Sequence, residues 1–185
     1  MKSAIVTSEM IQARPRVYLV GPHERLLYQY VYPLDLDKWN ILLADPLDIR
    51  NFLAEFTTYQ KDRDQFGVTD HWPGDLADVE RILLSKHDDC DGLSITAASI
   101  LHSVGNPHVR LVLGGYKTLI STNHAWVFLM DPDSPDDPWI VETTGDNKID
   151  RLPRLSEKPN YHPLMSASAS EREVYLHGIY ADMYS

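Results

Sequence analysis

The only cysteine of the chain, Cys90, stands at the beginning of a stretch with helical patterning. A histidine, His124, follows within an apolar stretch, and a glutamate, Glu142, follows within the next one. A thiol, an imidazole and a carboxylate are the parts of a nucleophilic triad. In a triad the thiol attacks a carbonyl carbon, the imidazole moves the proton, and the carboxylate orients the imidazole. These three residues are therefore the candidates for thiol-based acyl chemistry.

Each candidate also has an ordinary structural explanation. A lone cysteine in a globular domain is commonly a small buried hydrophobe. A histidine in an apolar strand is commonly a core residue, and a strand glutamate commonly faces solvent. The position of Cys90 favours chemistry, because Asp89 is a natural helix N-cap and places the thiol in the first turn, where the helix dipole favours thiolate.

The charges around Cys90 act in the opposite direction. Asp88, Asp89 and Asp91 are negative neighbours that raise the pKa of the thiol. The helix end alone cannot keep such a cysteine ionised, so a protonated imidazole partner is required. His124 is the candidate for that partner.

Three stretches repeat apolar residues at helical spacing. In the first of them, Asp45 supplies an N-cap and Pro46 the first helical position. The predicted helices cover residues 45–60, 75–86 and 90–103, and the charged residues 61–71 are predicted to be irregular.

Stretches rich in β-branched and aromatic residues predict strands. The predicted strands cover residues 14–21, 28–32, 108–116, 123–130, 138–144 and part of 173–180, whereas residues 145–170 have a loop-like composition. Helices followed by an antiparallel meander predict the α+β class. If the last hairpin turns near Ser134, Thr144 lies opposite His124. Glu142 is then the diagonal neighbour of His124 on the same face, within reach of its imidazole.

The composition is that of an ordinary globular protein and predicts a single domain over residues 1–185. Hydrophobic residues make up 43% of the chain and charged residues 24%. The net charge of −10 argues against a nucleic-acid partner, because phosphate binding needs a Lys/Arg surface. The N-terminus turns polar too early for a signal-peptide core, and no apolar run approaches the roughly 20 residues of a membrane helix. We therefore expect a soluble, cytoplasmic protein with no membrane partner.

Metal and phosphate sites find little support in the sequence. Read as an EF-hand loop, residues 131–142 place acidic side chains at four ligand positions, but Pro135 occupies the fifth position and Asp136 replaces the required glycine. One cysteine and scattered histidines give no zinc spacing, and Gly114-Gly115 opens no helix that would hold a phosphate. The sequence predicts neither a metal ion nor a cofactor.

Several separate pieces of the chain resemble one family, the transglutaminase-like superfamily. Residues 89–105 (Asp-Cys-Asp-Gly-Leu-Ser-Ile-Thr-Ala-Ala-Ser-Ile-Leu-His-Ser-Val-Gly) resemble its nucleophile helix, and Arg110–Gly114 resembles the strand that follows. His124–Val127 resembles its histidine strand and Trp139–Thr144 its carboxylate strand. The match spans about residues 70–145, with all pieces in the expected order.

The resemblance implies a papain-like α+β fold with the nucleophile helix packed on an antiparallel sheet. Cys90 would be the nucleophile, His124 the proton shuttle and Glu142 the residue that orients the ring. The family usually has aspartate at the last position, and glutamate can serve the same purpose with a longer side chain. Trp72 resembles a tryptophan upstream of the nucleophile in bacterial members. It would wall the site or help the oxyanion site alongside the Cys90 backbone N–H.

The sequence therefore predicts an enzyme that cleaves or exchanges an amide acyl group of a protein or peptide through a Cys90 thioester. Peptide hydrolysis, glutamine–amine cross-linking and deamidation or N-deglycosylation all fit the same residues. One alternative is a transglutaminase-like fold used as a binding or structural module. Another is a redox-sensing thiol, but this would need a second cysteine as its resolving partner, which the chain lacks.

Overall fold

Short elements make up the first part of the chain and lead into its first long helix. The computed structural model describes residues 3–145 and 147–184. These first elements are β1 (Ser3–Ile5), α1 (Ser8–Ala13), α2 (Pro15–Tyr18), β2 (Leu19–Val20), β3 (Arg25–Leu26), a 3-10 turn (Leu27–Tyr30) and α3 (Pro46–Phe56). Asp45 caps α3 as predicted, since its carboxylate accepts the Leu47 N–H at 2.8 Å.

Two strands predicted near the N-terminus are wrong. Residues 14–21 form α2 and then only the two residues of β2, because Pro15 suits the first position of a helix. Residues 28–32 lie largely in the 3-10 turn. There Tyr30 is fully buried and its hydroxyl donates to the Val20 carbonyl at 2.7 Å. The aromatic residues of both stretches serve the core rather than a sheet.

The elements around the cysteine come next in the chain. They are β4 (Thr58–Tyr59), α4 (Asp62–Phe66), α5 (Leu76–Ser85), β5 (His87–Asp88) and α6 (Cys90–Ser103). The prediction for α6 is confirmed, and so are the central parts of α3 and α5. Residues 61–71, predicted to be irregular, contain the short helix α4, which ends at Gly67 with a φ of +71°.

Helix α6 is buried on nearly all sides. Every residue from Asp91 to Leu101 is buried, with α3 and α5 against one part of the helix and sheet strands against another. Its hydroxyl groups are used for long-range contacts: Ser99 Oγ accepts the Tyr32 N–H at 3.0 Å, and Ser103 Oγ accepts the Leu34 N–H at 2.8 Å. The helix that begins at the cysteine is therefore held in a fixed position.

The second half of the chain forms most of an antiparallel sheet. Its elements are β6 (Val109–Tyr116), β7 (His124–Leu129), β8 (Trp139–Val141), a 3-10 turn (Leu155–Glu157), β9 (Tyr161–Ser168), β10 (Glu173–His177) and α7 (Gly178–Tyr184). Over residues 3–145 and 147–184 the sheet has six strands in the order β1-β10-β9-β6-β7-β8, and all pairs are antiparallel. This arrangement confirms the α+β class.

The prediction of a loop over residues 145–170 is wrong for Tyr161–Ser168, which form β9 between β10 and β6 in the sheet. Its buried positions include Ser166 and Ala167, whose small side chains carry little strand signal. Pro163 also argues against a central strand, but it lies at a shift in register opposite Gly114, where proline is tolerated.

Candidate active site

Cys90 is the first residue of α6, and the preceding aspartates shape this turn. The Asp89 side chain caps the helix by accepting the Asp91 N–H at 3.3 Å. Gly92 is required by packing, since a Cβ there would lie 2.4 Å from Cγ of Asp88. The space beside Gly92 is therefore filled by a carboxylate of the chain itself.

The thiol of Cys90 is in a setting that disfavours its charged form. Burial raises the pKa of Cys90 well above its usual value, and the negative charges of Asp91 and Asp89 raise it further. The backbone N–H of Ala125, next to His124, lowers it. The predicted effect of the flanking aspartates is confirmed for these two, and a positive partner is needed for Cys90 to act as a thiolate.

His124 and Glu142 are in direct contact. Nε2 of His124 lies 2.7 Å from Oε2 of Glu142, and both side chains are largely buried. Strand β8 pairs Val127 with Val141 and Leu129 with Trp139, so the hairpin is centred on residue 134 as predicted. An ionised carboxylate only accepts hydrogen bonds, so Nε2 carries a proton and Nδ1 is the nitrogen left for a thiol.

Tyr161 and Thr144 complete the surroundings of Glu142, and the sequence predicted neither of these contacts. Tyr161 donates its hydroxyl to Oε2 at 2.7 Å, and Thr144 donates its N–H and hydroxyl to Oε1 at 2.9 and 2.7 Å. Burial acts to raise the pKa of Glu142, but the bonds from His124 and Thr144 outweigh it and lower the pKa to about 2. Glu142 is therefore an anion at neutral pH.

Arg50 on α3 fixes the main chain that carries Glu142. Its side chain is 5% exposed, and its Nε donates to the Glu142 carbonyl at 2.9 Å. Further bonds join its guanidinium to the carbonyls of Gly145 and Asn147. No local pattern marks Arg50, because it lies 92 residues before its acceptor.

Cys90 and His124 line the same open cavity, whose volume is about 460 Å³. Trp72 lies in its wall and is 7% exposed. The indole N–H of Trp72 donates to Oδ1 of Asp70 at 2.8 Å. The position of Trp72 therefore fits the predicted role as a wall of the cavity. Its indole N–H does not fit the predicted role as an oxyanion donor, because it already donates to Asp70.

Five aspartates gather beside the first turn of α6. Carboxylate oxygens of Asp62, Asp70 and Asp91 lie within 4.8 Å of one another, and those of Asp62, Asp88 and Asp89 do so as well. Oδ1 of Asp62 is buried and has no hydrogen-bond partner within the described part of the chain. Burial and neighbouring negative charge raise the pKa of Asp62, of Asp91 and of Asp88, the last to about 7. We call these five residues the aspartate cluster. Its members come from separate parts of the sequence, so no ligand spacing along the chain indicates the cluster.

The acidic loop rejected as an EF-hand is held by the chain's own donors. Asp131 accepts a hydrogen bond from Arg154 at 2.7 Å, and Asp137 accepts one from the Ser156 hydroxyl at 2.9 Å. These contacts fit the interpretation of the loop as a hairpin connection.

The buried helix that begins at the cysteine, packed on an antiparallel sheet, defines a papain/transglutaminase-like fold. No family model matches the chain, and no curated protein matches it. Among solved structures the chain is similar to LapG of Legionella pneumophila, at 18% identity and a TM-score of 0.54, covering 93% of this chain and 88% of that one.

Two further LapG structures from Legionella pneumophila give the same result. For the EGTA-treated protein the identity is 18% and the TM-score 0.55, with 94% and 87% of the two chains covered. For the calcium-bound protein the identity is 18% and the TM-score 0.52, with 89% and 85% covered. At this identity the likeness establishes the fold.

Proposed function

We propose that this protein is an enzyme of the cysteine protease type, which hydrolyses an amide bond in a protein or peptide through a Cys90 thioester. The observation that carries the proposal is the shared cavity of Cys90 and His124, with the imidazole bonded to a buried, ionised Glu142. The LapG-like fold supports an enzyme of this kind.

The reaction follows from the positions of these groups. Nδ1 of His124 takes the proton of Cys90, and the sulfur forms a bond to the carbonyl carbon while the π electrons move to oxygen. Collapse of this intermediate breaks the C–N bond as Nδ1 returns the proton to the leaving amine. Water, deprotonated by Nδ1, then attacks the thioester, and the acid product leaves as sulfur regains the proton.

Glu142 is a positioning residue in this scheme. It holds the Nε2 proton of His124, so that Nδ1 faces the reaction, and its charge stabilises the imidazolium. The imidazolium is also what keeps the Cys90 thiolate ionised against burial and the charges of Asp89 and Asp91.

We further propose that the aspartate cluster binds calcium, as one of the LapG structures is described as calcium-bound. The residues fit this ion, because crowded carboxylate oxygens are its preferred ligands and Oδ1 of Asp62 is buried without a partner among the described residues. Asp62, Asp70 and Asp91 would hold it, with Asp88 and Asp89 alongside. Bound calcium would supply positive charge that offsets the carboxylates raising the pKa of Cys90.

The net charge of −10 supports a protein or peptide substrate over a nucleic acid. Within residues 3–145 and 147–184, no helix has the length and apolar character needed to cross a bilayer. The cytoplasmic location stays a prediction.

The test is the rate of Cys90 alkylation by iodoacetamide at pH 6, with calcium present, in the wild type and in His124→Ala. A thiol without a partner has a pKa of about 8.5 and reacts slowly at this pH. We expect fast alkylation of the wild type and a loss of at least about tenfold in the variant.

Cleavage of an unfolded protein substrate, followed by mass spectrometry, completes the test. Cys90→Ser and His124→Ala should abolish cleavage while keeping the thermal unfolding temperature of the wild type. Products of hydrolysis distinguish a protease from a cross-linking enzyme, whose products join two chains. Slow alkylation of both proteins and no cleavage would support the alternative, a binding module with a structural cysteine.

A further inference from the structure

A short parallel pairing places Tyr59 beside the strand that leads into the nucleophile helix. Strand β4 pairs with β5, which brings Tyr59 beside Asp88. Two backbone bonds flank it: the Thr58 N–H donates to the Lys86 carbonyl at 2.8 Å, and the Gln60 N–H donates to the Asp88 carbonyl at 2.9 Å. Because β5 leads directly into α6, this pairing fixes Tyr59 relative to the first turn of the helix.

Tyr59 lies between two cavities, one of which contains Cys90. A second cavity of about 420 Å³, lined by Glu142 and Thr144, shares two lining residues with the cavity that contains Cys90. Tyr59 and His124 line both cavities, so Tyr59 borders the cavity of the nucleophile on the side where His124 stands. Tyr59 is 41% exposed, and its hydroxyl makes no hydrogen bond within residues 3–145 and 147–184.

In the tetrahedral intermediate, the oxygen of the attacked carbonyl group carries a negative charge. Hydrogen-bond donors are needed to stabilise this oxyanion. In the first turn of α6, the N–H groups of Asp91, Gly92 and Leu93 already donate to acceptors at 3.3, 2.6 and 3.0 Å. The Cys90 N–H has no acceptor in the described structure and is free to bind the oxyanion. The expected second donor, the Trp72 indole, is bonded to Asp70 instead.

We propose that the Tyr59 hydroxyl is the second donor of the oxyanion site, acting with the backbone N–H of Cys90. The inference rests on the proposed function, since it assigns a catalytic residue to the same reaction. A phenol is protonated at neutral pH, so Tyr59 donates while the thiolate attacks. It retains its proton throughout, and the hydrogen bond strengthens as charge develops on the oxygen.

The test compares two reactions of Cys90 in Tyr59→Phe, with calcium present. Removal of one oxyanion donor lowers kcat by about 100-fold, so cleavage should fall by this factor with little change in KM. Alkylation by iodoacetamide is a displacement at carbon that forms no oxyanion, so its rate should stay within about twofold of wild type. A peptide aldehyde, which adds to the thiol and forms an oxyanion, should bind correspondingly more weakly.

The matched control is Tyr28→Phe. Tyr28 is partly exposed and lines neither cavity, so loss of its hydroxyl should leave cleavage and aldehyde binding within about twofold. Unchanged cleavage in Tyr59→Phe overturns the inference, and so do equal losses of cleavage and alkylation, which would indicate a structural role. Cleavage that survives Cys90→Ser, or a wild type that neither cleaves nor binds the aldehyde, overturns the proposed function itself.

Discussion

At the scale of single residues, the site depends on how completely Glu142 is bonded. His124, Tyr161 and Thr144 together direct four donors at its two oxygens. The charge of Glu142 is thereby fixed, and with it the tautomer of His124 that exposes Nδ1. Tyr161 and His124 both donate to Oε2 of Glu142. A side chain that replaces Glu142 must therefore accept hydrogen bonds from both residues at the same time.

Substitution Glu142→Gln tests this arrangement. An amide cannot present two acceptor oxygens, so it leaves a donor of His124, Tyr161 or Thr144 unpaired. We expect kcat/KM to fall about 10⁴-fold, less than in Cys90→Ser, because orientation is only part of the catalysis. Steady-state kinetics of the two variants give the comparison, and a larger loss in Glu142→Gln would contradict the role of a positioning residue.

The same substitution has a consequence for acid stability. The pKa of Glu142 is lowered from 4.5 to about 2, so its contribution to stability is fully present above pH 4.5 and is lost as the pH falls through about 2. Urea unfolding between these values should show a steeper loss in the wild type than in Glu142→Gln. The exposed Glu9→Gln is the control and should follow the wild type.

At the scale of elements, the start of α6 is set by the contact between β5 and the helix. Asp88 at the end of β5 packs its carboxylate against Gly92, and its Oδ1 also accepts the Asp89 N–H at 2.8 Å. The position of Cys90 in the first turn of α6 therefore depends on the absence of a side chain at Gly92. Because the helix conformation at Gly92 suits any residue, the reason for glycine is space rather than backbone freedom.

Gly92→Ala should destabilise the protein by about 1–3 kcal/mol, although alanine is the better helix former, because the new Cβ would meet the Asp88 carboxylate. Alkylation of Cys90 should change with it, since the first turn must shift. The double variant Asp88→Ala, Gly92→Ala removes the clash and should recover most of the alanine penalty. Denaturant unfolding of the wild type, Asp88→Ala, Gly92→Ala and the double variant in EGTA measures this coupling, and strictly additive effects would refute the packing argument.

At the scale of the whole molecule, an already acidic chain with a net charge of −10 concentrates five carboxylates at one point. Burial and charge raise the pKa of Asp88 to about 7. A carboxyl whose pKa is raised on folding stabilises most at low pH, and this contribution is lost as the pH rises from about 4 to 7. Without a cation the cluster therefore opposes folding at neutral pH.

Calcium should raise the unfolding temperature more at pH 7.5 than at pH 5, because protons compete for the same oxygens. At about 100 times the Kd, binding adds about 2.7 kcal/mol. Calorimetry with calcium or EGTA measures the gain, which Asp62→Asn should remove and Asp133→Asn, in the 131–142 loop, should keep. An equal gain in Asp62→Asn and the wild type would exclude the cluster as the binding site.

The sequence by itself determined the parts of the fold that local physics controls. Helical spacing and the Asp89 cap defined α6, and the hairpin symmetry about residue 134 placed Glu142 beside His124. These features depend on residues within one helix or one hairpin, so their patterns can be recognised without knowledge of the rest of the chain.

Only the tertiary structure decided which distant residues complete the site. Strand β9, hidden from the sequence by serine, alanine and proline, carries Tyr161 to Glu142, and α3 carries Arg50 to the same residue. The pairing of β4 with β5 brings Tyr59 beside Asp88 and into the cavity of Cys90, and the fold gathers Asp62 with the aspartates around the thiol. Single-domain organisation over residues 1–185 stays a prediction. These long-range contacts result from packing across the core. The hydrophobic pattern of a helix or strand indicates which of its faces is buried, but not which other element that face packs against.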